Sequence, residues 1–314
     1  MIGFDIGGTK CAVSIGEEKD GVMRIFNKKV IPTDHNISGY DMIDKMCALA
    51  EEMTDDFSSI GISCGGPLDN KNGIIISPPN LPRFKDIKVV NYLKERYGGF
   101  VRLENDADAC AFAEWKYGAG KGSQNMIFLT FGTGMGAGLI LGGKLYSGTN
   151  GNAGEIGHVR MRDTGPMGYG KYGSFEGFAS GGGIAQMAKS AAREKLSQGV
   201  SPLYCKNLDE LDNVTAQKTA EAAYKGDKTA IDVYRKCGEM LGYGLSILID
   251  ILNPEKIVIG SIYARSRDLL QETMMDALKK ETLAPSLSVV EILPAELGEN
   301  LGDYAALSLA ADNH

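Results

Sequence analysis

Two short apolar runs, Ile2–Phe4 and Ala12–Ile15, flank a glycine-containing turn and predict a β-hairpin. Val22–Ile31 predicts a third strand. Asp41–Thr54 carries Met42, Met46, Leu49 and Met53 at helical spacing. Ser59–Ser63 has the character of a short buried strand, broken by Cys64-Gly65-Gly66-Pro67. The stretch Ser77–Pro82, with Pro78, Pro79 and Pro82, is a loop. Val89–Tyr97 predicts a helix stopped by Gly98-Gly99, and the strand Val101–Leu103 leads into a helix running through Tyr117.

The pattern then restarts. Met126–Thr130 and Ala137–Leu141 flank a second glycine turn, and a shift of 125 positions superposes Ile2 on Ile127, Gly7 on Gly132, Ala12 on Ala137 and Ile15 on Ile140. An old duplication that left two related lobes facing across a cleft explains this; two unrelated hairpins are the alternative. Farther on, Asp232–Leu252 is apolar at helical spacing, with Gly238 and Gly242 on one face as in close helix packing, and Asn253-Pro254 stops it. Lys256–Ile259 is a buried strand, Arg265–Lys280 a helix, Ser288–Ile292 a last strand, and Asp303–Ala311 a terminal helix preceded by Gly302.

Bulk properties narrow the class. A chain of 314 residues is long for one core, so two lobes are expected. With 43% hydrophobic and 23% charged residues it fits an ordinary soluble globular protein. The net charge of −7 and the lack of a basic cluster argue against a nucleic-acid partner. No apolar run approaches a membrane span; Leu245–Leu252 is short and holds Ser246 and Asp250. The first strand starts at Ile2, so no leader is expected, and none of the six cysteines forms a CxxC pair. Reduced thiols and a cytoplasmic location follow as expectations.

Three motifs carry chemistry. In Asp5-Ile6-Gly7-Gly8-Thr9-Lys10 the glycines let the backbone approach a ligand closely and take positive φ, and their N–H groups can face phosphate oxygens. Thr9 adds a hydroxyl, and Asp5 is placed to hold Mg²⁺ directly or through water. This is neither a Walker A loop nor a dinucleotide fingerprint. The second motif, Gly132-Thr133-Gly134-Met135-Gly136-Ala137-Gly138, has more glycine than a strand interior benefits from, and suggests a ligand-facing backbone. The third is Glu104-Asn105-Asp106, at the start of the helix through Tyr117. Asp106 there serves either as an N-cap or as a chemical base, and Asp108 reads as a complement to the helix dipole.

Taken in order, DIGGTK, Gly66-Pro67, Pro79-Asn80-Leu81, Glu104–Asp106, GTGMGAG and Glu155-Ile156-Gly157-His158 resemble the ROK family of sugar kinases and related repressors, over nearly the whole chain. The resemblance implies an α/β, actin-like (ribonuclease H-like) ATPase duplicate with mixed sheets flanked by helices. Its implied lobes are residues 1–118, completed by a C-terminal helix at 303–314, and residues 119–302. It implies ATP and Mg²⁺ as cofactors, a hexose as substrate, and a homodimer. Asp106 takes the role of catalytic base. Gly66, Asn80, Asn105, Asp106, Glu155, His158 and Glu176 match sugar-contacting positions. Asp5, Gly7, Gly8, Thr9, Lys10, Gly132, Thr133, Gly134 and Gly260 match positions on the nucleotide side, with Asp5 at the metal.

One departure stands out. Family members often hold a structural zinc with the GH histidine and three cysteines, whereas here those cysteine positions are Met167, Tyr169 and Ser174. No zinc is expected, because Zn²⁺ needs a closed shell of four donors. Packing by Tyr169, Tyr172 and Phe175 is expected to hold the loop instead, leaving His158 for a sugar hydroxyl or a structural hydrogen bond. The expected activity is glucokinase-like transfer of the γ-phosphate of ATP to the C6 hydroxyl of a hexose. The rivals are a sugar-responsive regulator or sensor of the same family, for which the start at Ile2 leaves no helix-turn-helix segment, and a filament-forming actin-like protein.

Overall fold

A computed structural model describes residues 1–312. The chain divides into two compact units, one formed by Met1–Phe128, Gly138–Ala153 and the segment from Ala295 onward, the other by Leu129–Ala137 and Gly154–Pro294.

The first unit opens with the antiparallel strands β1 (Ile2–Ile6), β2 (Lys10–Lys19) and β3 (Val22–Pro32), followed by helix α1 (Gly39–Glu51) and strand β4 (Ser59–Cys64). A small hairpin, β5 (Leu68–Asp69) and β6 (Ile74–Ile75), precedes α2 (Val89–Tyr97), β7 (Phe100–Asn105) and α3 (Asp106–Tyr117). The sheet order is β3-β2-β1-β4-β7, with β1, β4 and β7 parallel. Ile2, Phe4 and Ile6 alternate into a core shared with Ile60, Ile62 and Leu103. Helix α1 adds Met42, Ile43, Met46, Cys47 and Ala50 to that core, a stripe one helical turn apart. Its start is fixed by Ser38, whose hydroxyl accepts from the Asp41 amide while the Asp41 carboxylate accepts in return.

The chain crosses out of this unit within β8 (Met126–Phe131) and back within β9 (Met135–Ile140). The second unit then carries the hairpin β10 (Met167–Gly168) and β11 (Lys171–Tyr172), helices α4 (Phe175–Phe178), α5 (Gly181–Ser197), α6 (Ala216–Tyr224) and α7 (Lys228–Leu252), strand β12 (Lys256–Ile259), helices α8 (Ile262–Glu281) and α9 (Ala284–Leu287), and β13 (Glu291–Pro294). The second sheet runs β13-β12-β8-β9, with β12 and β13 parallel. Read from its hairpin, β9-β8-β12-β13 repeats β2-β1-β4-β7 in neighbour order and chain order alike. The repeat suggested by the two glycine turns therefore extends to four strands of each sheet. Helices α7 and α8 pack tightly, as the glycine face implied: a Cβ at Gly238 would meet the Leu270 carbonyl, and one at Gly242 the Met274 carbonyl and Ala277.

The chain ends in α10 (Leu301–Ala311), which rejoins the first unit against β1, β4 and α3. A side chain at Gly61 of β4 would overlap the Ala306 carbonyl of this helix, so the close approach requires glycine. Two expectations shift. The last strand begins at Glu291 instead of Ser288, because Pro285 in the first turn of α9 keeps the preceding residues helical. The terminal helix begins at Leu301, with Gly302 inside it. Residues 313 and 314 of the expected 303–314 helix lie outside the described residues. Among the described residues no helix is long and apolar enough to cross a membrane.

Candidate active site

In the first unit the chemistry gathers where β1, β4 and β7 end. Asn105 is the N-cap of α3: its Oδ1 accepts from the Ala107 amide at 2.9 Å. Asp106 is therefore the first helical residue and is released from the capping role. Its Oδ1 also accepts from the Ala107 amide, at 2.8 Å, and its Oδ2 lies 3.9 Å from where a Cβ on Gly65 would stand. Asp106 reaches solvent. Protein atoms nevertheless crowd it closely enough that lost hydration pushes its carboxyl above the ordinary range, against the pull of the Ala107 amide and its own. Beside it, the Asn105 Nδ2 is 3.1 Å from the Cβ position of Gly66. Gly66, Asn105 and Asp106 thus come together.

Asn80 packs against the first glycine turn. A Cβ on Gly8 would stand 2.6 Å from the Asn80 Cβ and 2.8 Å from its carbonyl oxygen. The Gly7–Lys10 turn closes through Gly7 N–H to the Lys10 carbonyl at 3.2 Å, and Thr33 braces it: the Thr33 hydroxyl donates to the Gly7 carbonyl at 2.6 Å and its amide to the Thr9 carbonyl at 3.0 Å. Neither Gly7 nor Gly8 has positive φ, and the same is true of Gly132 and Gly134. The positive φ expected in the first turn is therefore not found. Three of these glycines leave room for a neighbour, Gly7 for the Lys10 carbonyl, Gly8 for Asn80 and Gly134 for Glu176, while Gly132 faces open space.

Asp5 lies on β1 with its Oδ2 2.6 Å from where a Cβ on Gly302 would be. Its carboxyl is pushed up to about 6, first by burial and then by Asp303 and Asp106, with Lys28 and Lys10 opposing. A magnesium ion fits this setting: the carboxylate sits among like charges that a cation would relieve, and Mg²⁺ typically takes one or two carboxylates along with substrate phosphates. Behind the site, Glu104 is buried and held by Arg102 at 3.0 Å and Asn70 at 2.8 Å. Asp108 is buried as well and accepts from the Ser147 hydroxyl at 2.8 Å. Burial, with help from Glu104 and Asp106, pushes the Asp108 carboxyl to about 7. An acid so easily neutralised is a poor dipole complement, contrary to the expectation from its first-turn position.

The second unit presents the matching glycine turn. Gly132 N–H closes on the Gly134 carbonyl at 3.2 Å, and the first amides of α5 hold the turn from behind, Gly181 donating to Gly132 at 2.8 Å and Gly182 to Thr133 at 3.1 Å. Ser180 caps α5 through the Gly183 amide at 3.0 Å. Glu176, assigned to sugar by resemblance, is tied to this turn: its Oε2 accepts from the Met135 amide at 3.0 Å and is 2.7 Å from the Cβ position of Gly134. Glu155 and His158 bracket the short 3₁₀ turn Ile156–His158 and are both exposed. Gly157 of that turn packs against Met135 and Glu176. Gly260 is buried at the β12–α8 junction, its amide donating to the Leu129 carbonyl at 2.9 Å.

The loop lacking the three cysteines is held differently from expectation. Tyr169 and Tyr172 are 71% and 62% exposed, so of the three aromatics only Phe175 packs inside. The β10–β11 hairpin is pinned instead by Gln186, which accepts from the Met167 amide at 3.0 Å and donates to its carbonyl at 2.8 Å. Ser174 caps α4 through the Gly177 amide at 3.1 Å. The Tyr169 ring meets the His158 ring edge-on, with centroids 6.3 Å apart. Among the described residues no group of three or more His, Cys, Asp or Glu side chains is arranged to hold a metal ion.

Sequence reasoning missed Thr33, Ser180 and the trio Ser14, Lys28 and Asp303. Ser180 was within reach, as a serine directly before a glycine-rich helix start. Asp303 was marked by being the lone charged residue of α10.

Comparison with known proteins shows the family. The ROK family pattern matches residues 1–313. A glucokinase of Thermotoga maritima is 30% identical, over 98% of this chain and 96% of its own. A crystal structure of a ROK family glucokinase from Streptomyces griseus, in complex with glucose and AMPPNP, superposes with a TM-score of 0.81 at 29% identity, covering 100% of this chain and 99% of that one. The DNA-binding transcriptional repressor Mlc of Escherichia coli is 28% identical over 86% of this chain and 64% of its own length.

Proposed function

The chain belongs to the ROK family, its two units have the actin-like ATPase fold of ROK sugar kinases, and we propose that it transfers the γ-phosphate of ATP to the C6 hydroxyl of glucose or a closely related hexose. The observation that carries this reading is Asp106, which the Asn105 cap leaves chemically available and exposed to solvent, with its carboxyl raised by the protein atoms crowding it.

Phosphoryl transfer asks chiefly for alignment and charge stabilisation. In the first unit Asp106 accepts the proton of the attacking hydroxyl. Asn105, Asn80 and the open backbone at Gly66 recognise neighbouring hydroxyls. The Gly8 and Thr9 amides serve phosphate oxygens, and Asp5 is the residue that would hold magnesium, which offsets phosphate charge when bound. In the second unit the Thr133 and Gly134 amides act on phosphate, Gly260 belongs to the adenosine end, and Glu155 and His158 offer exposed polar atoms to the sugar. Glu176 acts on both sides of that assignment through its bond to the Met135 amide. Similarity to the glucose- and AMPPNP-bound glucokinase supports these roles. The regulatory reading comes second, supported by the similarity to Mlc.

The test is ADP release over a panel of hexoses, for the native chain and for Asp106→Ala. The kinase reading expects ATP consumption only with sugar present, and a loss of at least about a hundredfold in kcat with sugar binding kept. A native chain that binds sugar but consumes no ATP would favour the regulatory reading. A variant with near-normal turnover would remove Asp106 from the mechanism.

A further inference from the structure

Asp303 is 2% exposed, near the start of α10, and is the one charged residue of that helix. Two groups converge on it: the Ser14 hydroxyl of β2 donates to Oδ1 at 2.5 Å, and the Lys28 ammonium of β3 pairs with Oδ2 at 2.5 Å. Its chain neighbour Gly302 abuts the Asp5 carboxylate. No side chain among the described residues donates a hydrogen bond to Asp5. Its place is set by packing against Gly302 and by the charges around it, which are Asp303 from α10, Asp106 from α3, Lys28 from β3 and Lys10 from β2.

A pair whose Lys28 end stands in water, 36% exposed, is a poor way to pin a helix, because solvent screening leaves such a bond worth little. Helix α10 already has an apolar grip, with Ala305, Ala306, Leu307, Leu309 and Ala310 all buried. The pair needs another purpose. We propose, resting on the kinase reading above, that Asp303 with Lys28 and Ser14 is a positioning device for Asp5. It locks the first turn of α10 to β2 and β3, fixes Gly302 as a stop against Asp5 Oδ2, and sets a like charge that keeps the Asp5 carboxylate turned toward the nucleotide's magnesium.

The two roles separate in the double variant Asp303→Leu with Lys28→Met. A merely structural pair would be replaced without functional effect. A positioning pair leaves the fold intact and lets Asp5 relax, and misplacement on the scale of 1 Å costs roughly tenfold to a hundredfold in rate. The expected result is a thermal midpoint close to that of the native chain, kcat down by about that factor, and a sugar KM changed less than about twofold. Calorimetry should show ADP binding weakened only when Mg²⁺ is present. The single variant Asp303→Asn, which keeps the shape and the Ser14 bond but loses the like charge and the Lys28 pair, should show the same magnesium-specific weakening. Gly302→Ala pushes on Asp5 without touching the ion pair and should give the same magnesium-specific weakening. A folded double variant with native kcat and native magnesium dependence of ADP binding overturns the proposal, as does an unaffected Gly302→Ala should the double variant fail to fold. If the native chain phosphorylates no sugar, the kinase reading fails, and the calorimetric comparison of ADP with and without Mg²⁺ still decides the placement of Asp5.

Discussion

Replacing Asp108 by asparagine should change the stability of this protein in a pH-dependent way. Asp108 is 3% exposed, its Oδ2 accepts from Ser147, and its Oδ1 has no partner among the described residues. Its carboxyl stands at about 7 in the folded chain against 3.8 for an unperturbed aspartate. Between those values the folded state holds a proton that the unfolded state has released. Stability therefore falls as pH rises from about 4 to about 7, and the loss is complete above that. At about 1.4 kcal/mol per unit, the step from pH 5 to pH 8 covers the last two units and removes roughly 3 kcal/mol from the native chain. The asparagine of the Asp108→Asn variant would not titrate. It brings instead a donor into the place of the unpartnered Oδ1, at a cost of about 1–3 kcal/mol that is the same at every pH. That constant cancels when two pH values are compared. Urea unfolding of both proteins at pH 5 and pH 8 should show the stability difference, variant minus native, rising by roughly 3 kcal/mol toward the alkaline side. A difference that stays constant within error would mean that Asp108 is ionised throughout and that its burial is better compensated than the Ser147 bond and Arg102 allow.

Two further outcomes follow from the geometry. Glu176→Ala should raise the KM for ATP about tenfold, since a charge-assisted bond to the Met135 amide worth about 1.5–3 kcal/mol holds the glycine turn, while Glu176→Gln keeps an acceptor and most of the affinity; an effect confined to the sugar KM would return Glu176 to a purely sugar-binding role. Gly61→Ala should lower stability by about 1–3 kcal/mol in urea unfolding, because the new Cβ must displace the Ala306 carbonyl of α10, and a neutral result would show that the helix shifts without penalty.

What could be read from the chain follows physical range. The repeated strand–turn–strand units were legible because apolar alternation and turn composition are local, and the sheets then reproduced the repeat strand by strand. The glycine turns were legible as turns, although no left-handed φ is needed there, and the pressure against a Cβ at Gly8 and Gly134 comes from Asn80 and Glu176, which lie far away in sequence. The Lys28–Asp303 pair spans 275 positions, and no periodicity connects its ends. Tyr169 and Tyr172 misled because aromatic residues suggest packing, yet a two-strand hairpin with Tyr169 at φ 43° turns both outward and leaves Gln186 to hold the loop. The decisive ambiguity was narrower, a choice between neighbours. Asn105 and Asp106 are both good caps, and composition cannot choose between them. The choice is made by β7, which extends through Asn105 and delivers that residue in the extended conformation, at φ −60° and ψ 147°, that a cap requires. Asp106 then falls one position into the helix, where its carboxylate is not needed to start it. Had the strand ended one residue later, the same sequence would have used Asp106 as the cap and left Asn105, which cannot act as a base, in the strand.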